Sequence, residues 1–166
     1  MSSHKADLQY MNIINKYINN EEFQKTKNIE HHGVTRFEHS LKVSYYSYKI
    51  AKILMLDYKE TAIGGLLHDF FISSNDRTSK EKIESVFTHP KIALKTAKSE
   101  FDLTVKEQDI IRSHMFPINI SVPKYMESWI VSSVDKIVAI EELSLKFKFK
   151  VRYAYNLLLL FIIGLR

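Results

Sequence analysis

The apolar positions of this chain recur at intervals of three and four residues, which is typical of amphipathic helices. No stretch alternates between apolar and polar residues as a half-buried strand does. Helix starts are also recognisable, because a Thr or Asp stands three residues before a Glu, the spacing of a capping box, at Thr35, Asp57, Thr78 and Thr104. Together these signals predict helices near residues 7–19, 36–55, 58–71, 79–86, 90–100, 105–115, 124–142 and 146–164.

Two features concern the boundaries and packing of these helices. Pro90 follows Thr88 closely and should begin a helix, since proline is tolerated in the first helical turn. Gly64 and Gly65 lie inside the predicted helix 58–71, although each glycine costs about 1 kcal/mol of helix propensity. We therefore expect another helix to approach closely at this pair.

Composition narrows the class of protein to an all-α, single-domain helical bundle covering residues 1–166. A chain of 166 residues with 45% apolar and 26% charged residues is an ordinary globular domain. Four Gly and three Pro are too few for the many tight turns of an all-β fold. Because there is no cysteine, disulfides and thiolate zinc sites are excluded, and any metal must be bound through nitrogen and oxygen.

The candidate chemistry lies in an ordered set of imidazoles and carboxylates. These residues are His39, His68, Asp69, His89, His114 and Asp135. Helical spacing aligns His39 with an apolar stripe of Val43, Tyr46, Ile50 and Ile53. The stripe predicts that His39 points into the core.

The other candidate ligands also follow apolar residues at helical spacing. Asp69 follows Ala62, Gly65 and Leu66, His114 follows Ile110 and Ile111, and Asp135 lies with Val131, Val134 and Val138. A buried ionised carboxylate without a partner is very costly. A metal ion is the simplest common partner for two inward carboxylates and several inward imidazoles. For any one residue alone, a hydrogen-bonded core side chain is the competing interpretation.

Five stretches resemble the motifs of the HD-domain metal-dependent phosphohydrolases, in the order of that family. They are residues 35–45 (TRFEHSLKVSY), 64–71 (GGLLHDFF), 88–94 (THPKIAL), 109–117 (DIIRSHMFP) and 127–142 (ESWIVSSVDKIVAIEE). The likeness covers about residues 30–142. The two histidines between the central His-Asp pair and the last Asp resemble the branch that binds two metal ions.

The resemblance implies a dinuclear site with a bridging water or hydroxide that hydrolyses a phosphate ester or anhydride. The first ion would be held by His39, His68, Asp69 and Asp135, and the second by His89 and His114, with the Asp69 carboxylate bridging both. Two neighbouring cations lower the pKa of a shared water and bind phosphoryl oxygens. The mixed ligand set suits iron first, with manganese, nickel or zinc as alternatives.

Phosphate esters also need cationic contacts outside the metals. Arg36 and Lys136 are the first candidates for that role, and Arg77 and Lys80 are weaker ones. His32 precedes the first capping box and could donate a hydrogen bond beside the site or move a proton. For each of these, an ordinary surface residue is the alternative.

Departures from the family motifs narrow the choice of substrate class. Phe70 and Phe71 follow the His-Asp pair where cyclic-di-GMP phosphodiesterases of the HD-GYP type carry other residues, and no GYP motif follows. We expect a small phosphorylated metabolite, with a nucleotide as the leading class, and no specific nucleic-acid binding. Two alternatives stay open: a di-iron oxygenase built on the same ligands, and a metal-stabilised sensor or scaffold without catalysis.

The ends of the chain bear on location and partners. The N-terminus lacks the apolar segment of a secretory signal, which together with the missing cysteines predicts a cytoplasmic protein. Residues 157–165 are all apolar or Gly, but this stretch is too short for a transmembrane helix. It is predicted to be buried on the bundle or in a homodimer interface. Because the net charge of +5 owes much to residues 146–152, a membrane-surface anchor is the competing interpretation.

Overall fold

The computed structural model describes residues 7–31, 33–72 and 79–164, with the side chains of 31, 79–86 and 150–164 left out of the description. Its helices are α1 (Leu8–Ile18), α2 (Glu21–Gln24), α3 (Arg36–Ile53), α4 (Tyr58–Leu67), α5 (Ser79–Glu100), α6 (Val105–Ser113) and α7 (Met126–Gly164). A 3-10 helix, Lys25–Asn28, and two short strands, β1 (Glu30–His31) and β2 (Val34–Thr35), connect α2 to α3. The fold is all-α, as predicted.

The predicted capping residues are found at several helix starts. Thr35 and Thr104 each form a complete capping box, with Glu38 and Glu107 respectively. The Asp57 carboxylate accepts from the backbone of Lys59 and Glu60 at the start of α4. The predicted cap Thr78 lies outside the described residues. Short polar side chains therefore determine where three of the helices begin.

Two pairs of predicted helices are continuous instead. The predicted break at Pro90 is wrong, because α5 runs through this buried proline. The hydrogen bond lost at Pro90 is offset by the burial of Ala93 and Ala97 on the following turns. The break predicted between 142 and 146 is also wrong: α7 contains no glycine or proline before Gly164, so nothing in its sequence ends the helix.

The linker between α2 and α3 contains a hairpin that the apolar pattern did not predict. β1 and β2 pair antiparallel, with Glu30 opposite Thr35, around Gly33 at a positive φ of 96°. Strands of two residues are too short to show an alternating pattern. The hairpin leads the chain directly into the capped start of α3.

Helix α4 lies at the centre of the bundle and packs against α1, α3, α6 and α7. Its glycines permit this: a β-carbon on Gly64 would stand 2.7 Å from Ile110 Cγ2, and one on Gly65 would stand 3.1 Å from the Ser44 Cα. The close approach expected at this pair is confirmed.

The buried face of α3 differs from the predicted stripe. His39 and Val43 are buried, but Tyr46, Ile50 and Ile53 are 45%, 38% and 75% exposed. The face that meets α4 and α7 carries small residues in their place, namely Ser40, Ser44, Ser47 and Ala51. Small side chains suit this face because α4 is so close. Among the described residues, no helix combines the length and apolar character needed to cross a membrane.

Candidate metal centre

His39 lies on the first turns of α3 and is completely buried. Its Nε2 is 3.1 Å from Asp135 Oδ1, and its Nδ1 is 2.9 Å from Glu142 Oε2, both from α7. Burial alone would lower the pKa of His39, but the hydrogen bonds to these two carboxylates raise it to about 9. The imidazole therefore joins α3 to α7 through both ring nitrogens.

His68 and Asp69 follow the last turn of α4, which ends at Leu67 and not near 71 as predicted. His68 Nδ1 donates to the Gly65 carbonyl over 2.7 Å, which turns Nε2 towards Asp135 Oδ1 at 3.4 Å. His68 Nε2 is buried and has no hydrogen bond of good geometry within the described part of the chain. Such a nitrogen is suited to binding a cation.

The Asp69 carboxylate faces the other half of the cluster. Its Oδ1 is 3.4 Å from His89 Nε2 and 3.7 Å from His114 Nε2, and its Oδ2 is 3.8 Å from Arg36 Nε. Because the helix ends before Asp69, the carboxylate can reach between α5, α6 and α3. Asp69 thus lies between an imidazole pair and a guanidinium group.

His89 of α5 and His114 at the end of α6 bring two ring nitrogens together, with 2.9 Å between their Nε2 atoms. His114 Nδ1 donates to the Ile111 carbonyl over 2.8 Å. Complete burial, and then the neighbouring His68 and His89, lower the pKa of His114 to about 3. The ring is therefore neutral near pH 7, and its Nε2 carries a lone pair that accepts from His89 Nε2 and that a metal ion would bind in place of that hydrogen bond.

The six side chains form three overlapping groups, in each of which the ligand atoms lie within 4.8 Å of one another. Asp69 groups with His39 and His68, and again with His89 and His114. A third group joins His68, His114 and Asp135. The structure therefore brings all six predicted residues into one buried cluster, in which Asp69 belongs to groups on both sides.

The chemistry of these donors fits a transition-metal site. All six are imidazoles or carboxylates, and each is at most 8% exposed. Burial would raise the pKa of Asp135, but the hydrogen bond with His39 and the nearby His68 imidazole hold it well below its usual value. Asp135 is therefore an ionised, buried carboxylate, which a cation would stabilise.

The two predicted anion-contacting cations both have protein partners. Arg36 is 2% exposed, donates from Nη1 to the Phe71 carbonyl over 2.6 Å, and stacks over the Phe71 ring at 3.7 Å. Lys136 Nζ donates to the carbonyls of His114 and Ser132 over 2.8 and 2.9 Å, and burial lowers its pKa. Both cations lie beside the cluster. Arg36 binds the segment that follows α4, and Lys136 binds the end of α6 to α7.

Other predicted auxiliaries lie outside the description. His32 and Arg77 are outside the described residues, as is the side chain of Lys80. Their suggested roles stay predictions.

Sequence reasoning missed two residues of the cluster's surroundings. The Phe71 ring lies between Arg36 and His89, stacking on the imidazole with 5.5 Å between centroids and 25° between planes. Glu142 contacts His39. A signal for Glu142 was present, because it follows Asp135 by seven residues, two helical turns, and so lies on the same face of α7.

Comparison with protein families agrees with this geometry. The family model described as HD domain matches residues 36–143, a span that contains all six clustered ligand-type residues and Glu142. The chain therefore belongs to the HD-domain family, and the family predicted from the sequence motifs is confirmed. Comparisons with curated proteins and with solved structures find no match for this chain.

Proposed function

We propose that this protein is a metal-dependent phosphohydrolase with a dinuclear site. The observation that carries the proposal is the single buried cluster in which Asp69 belongs to ligand groups on both sides. His39, His68, Asp69 and Asp135 would hold one ion. His89, His114 and the shared Asp69 would hold the other. The bound ions would supply an activated water and would bind the phosphoryl oxygens of the substrate.

The surrounding residues orient the ligands and balance their charge. Hydrogen bonds from Nδ1 of His68 and His114 to backbone carbonyls direct both Nε2 atoms into the cluster. Arg36 lies near Asp69 and holds positive charge beside the predicted bridging carboxylate. Lys136 supports the His114 backbone, and its ammonium group is the second candidate for contact with a substrate anion. His32 stays a candidate for proton transfer.

The finer assignments rest on the family motifs and on composition. We propose a small phosphorylated metabolite as substrate, with a nucleotide as the leading class, and iron as the first choice of metal. A cytoplasmic location fits the cysteine-free composition. A homodimer through the C-terminal part of α7 is consistent with Phe147 and Phe149 there, which are 69% and 59% exposed.

Metal content and turnover of the protein prepared without a histidine tag test the proposal. We expect about two equivalents of transition metal by plasma mass spectrometry, and hydrolysis of a phosphate ester that a chelator abolishes. Asp69→Ala should lose both ions and all activity. The matched control is Asp102→Ala, which removes an exposed carboxylate and should leave both unchanged.

Other outcomes would redirect the assignment. One equivalent of metal would reduce the site to a mononuclear one. Oxygen consumption with reduced iron, in place of phosphate release, would identify the oxygenase. Absence of metal after reconstitution would favour a scaffold. Metal and turnover retained in Asp69→Ala would overturn the proposal.

A further inference from the structure

Glu142 is a buried carboxylate on α7 that faces the predicted metal ligand His39. Its side chain is only 2% exposed, and its Oε2 lies 2.9 Å from His39 Nδ1. Burying an ionised carboxylate is costly unless the carboxylate is hydrogen-bonded and paired with a positive charge. On α7, two helical turns separate Glu142 from Asp135, so both carboxylates approach the same imidazole from one helix.

The direction of this hydrogen bond determines which ring nitrogen of His39 can bind a metal. An ionised carboxylate only accepts, so the proton of the bond belongs to His39 Nδ1. In a neutral imidazole the lone pair is then on Nε2, which points into the cluster towards Asp135. Glu142 therefore selects the tautomer and fixes the plane of the ring.

Two other histidines of the cluster use the same arrangement with a different partner. Nδ1 of His68 donates to the Gly65 carbonyl, and Nδ1 of His114 donates to the Ile111 carbonyl, each three residues earlier in the chain. Those partners belong to the local backbone. The partner of His39 is a charged side chain 103 positions away in sequence, so it can be changed by substitution.

We propose that Glu142 is a positioning residue that holds the Nδ1–H of His39 and thereby presents Nε2 to a metal ion. The inference rests on the proposed metal-dependent function. Lys42 keeps positive charge beside the second oxygen of Glu142, with 3.9 Å between Nζ and Oε1. A carboxylate hydrogen-bonded to a ligand imidazole raises its basicity towards the metal, and loss of such a partner lowers metal affinity about 10–100-fold.

The neighbouring residue provides a matched control. Glu141 is exposed, forms an ion pair with Lys42 at 3.1 Å, and lies one position away on the same helix. Glu141→Gln and Glu142→Gln remove the same charge at adjacent positions of the same helix. Glu142→Gln also keeps the shape of the side chain and one acceptor oxygen. Glu142→Ala removes the acceptor altogether.

Co²⁺ affinity of the purified full-length protein, measured by competition with a chromophoric chelator, tests the inference. We expect Glu142→Ala to weaken Co²⁺ binding by about 10–100-fold and Glu142→Gln to have an intermediate effect. Glu141→Gln should bind as the wild type does. The visible absorption of bound Co²⁺ should change in the two Glu142 variants alone, which a role confined to stability would not produce.

The outcomes separate the inference from the proposed function. If Glu142→Ala does not fold, Glu142→Gln decides the matter. Wild-type Co²⁺ binding with unchanged affinity and spectrum in the Glu142 variants overturns the inference and leaves the proposed function intact. A wild-type protein that binds no Co²⁺ overturns both.

Discussion

Gly65 of α4 lies against the backbone of Ser44 in α3, so that a β-carbon built on Gly65 would stand 3.1 Å from the Ser44 Cα. Ser44 Oγ donates to the Ala62 carbonyl over 2.6 Å at the same crossing. Because the Gly65 carbonyl also accepts from His68, the crossing determines how far the candidate ligands after α4, His68 and Asp69, stand from His39 of α3. Helix packing and site geometry are therefore coupled at one glycine.

Gly65→Ala should lower the free energy of unfolding by about 1–3 kcal/mol, because the added methyl group pushes α3 and α4 apart. Helix propensity alone predicts the opposite, a gain of about 1 kcal/mol. Urea unfolding measures which effect is larger. Lys59→Ala, on the exposed face of α4, is the control for propensity. A Gly65→Ala protein more stable than the wild type would contradict the close packing described here.

The start of α6 is held to the start of α7 by a partly buried ion pair. Lys106 Nζ lies 2.9 Å from Glu127 Oε1 and 3.3 Å from Glu60 Oε2, and Glu127 is 7% exposed. Burial would lower the pKa of Lys106, but its hydrogen bonds to these carboxylates raise it. Lys106→Met should destabilise the protein by about 1–3 kcal/mol, because Glu127 is left buried without its cation.

A double-mutant cycle with Glu127→Gln separates the pair from its surroundings. Glu127→Gln in the Lys106→Met background should recover part of the lost stability, since no unpaired charge is left. Lys98→Met, which changes an exposed lysine on α5, should change the unfolding free energy little. Strict additivity of the two substitutions would show that Lys106 and Glu127 do not interact.

The free energy of unfolding of the protein, prepared with a chelator to remove metal, should be greatest near pH 6.5. The raised pKa of His39, about 9, contributes stability that is complete below pH 6.5 and is lost as the pH rises towards 9. The pKa of His114, lowered to about 3, has the opposite consequence. Below pH 6.5 this histidine binds a proton in the unfolded chain but not in the folded one, so the free energy of unfolding falls as the pH falls. Each slope approaches about 1.4 kcal/mol per pH unit.

Urea unfolding between pH 5 and 9 measures both slopes. His39→Gln should abolish the loss of stability above pH 6.5, and His114→Gln should abolish the loss below it. Each substitution removes one titrating group and leaves the other in place. A stability that rises steadily from pH 6.5 to 9 would contradict the pairing of His39 with Glu142 and Asp135.

The sequence predicted those parts of the molecule that depend on local spacing. Thr35 and Thr104 could be identified as caps because a capping box is complete within four residues. The inward direction of Asp135 followed from its valine neighbours on one face of α7, Val131, Val134 and Val138. The order of the motifs, which is that of the HD-domain family, then predicted that the six candidate ligands form one site.

What the sequence could not predict depends on contacts between distant segments. The buried face of α3 is lined by serines because Gly65 lets α4 approach, and neither residue alone indicates this. Helix α5 continues through Pro90 because its later turns pack into the core. The pairing of Glu142 with His39 joins residues 103 positions apart. Local spacing placed Glu142 on the same face of α7 as Asp135, but it did not show that His39 of α3 lies against that face.

Lys136 lies beside the cluster, and the structure predicts that its removal affects stability as well as activity. Its Nζ donates to the His114 carbonyl over 2.8 Å and to the carbonyl and hydroxyl oxygens of Ser132 over 2.9 and 3.0 Å. Lys136→Met keeps the apolar part of the side chain and removes these donors. We expect a loss of about 1–3 kcal/mol in the free energy of unfolding, because the bonds are charge-assisted and half-buried.

The same substitution at Lys148, an exposed lysine on the same helix, isolates the effect of position. That control should unfold as the wild type does. If Lys136 acted only on a substrate anion, Lys136→Met would raise KM for a phosphate ester and leave unfolding unchanged. Loss of stability with an equal fall in metal affinity would instead assign Lys136 to the support of His114, because its ammonium group donates to the backbone carbonyl of that candidate ligand.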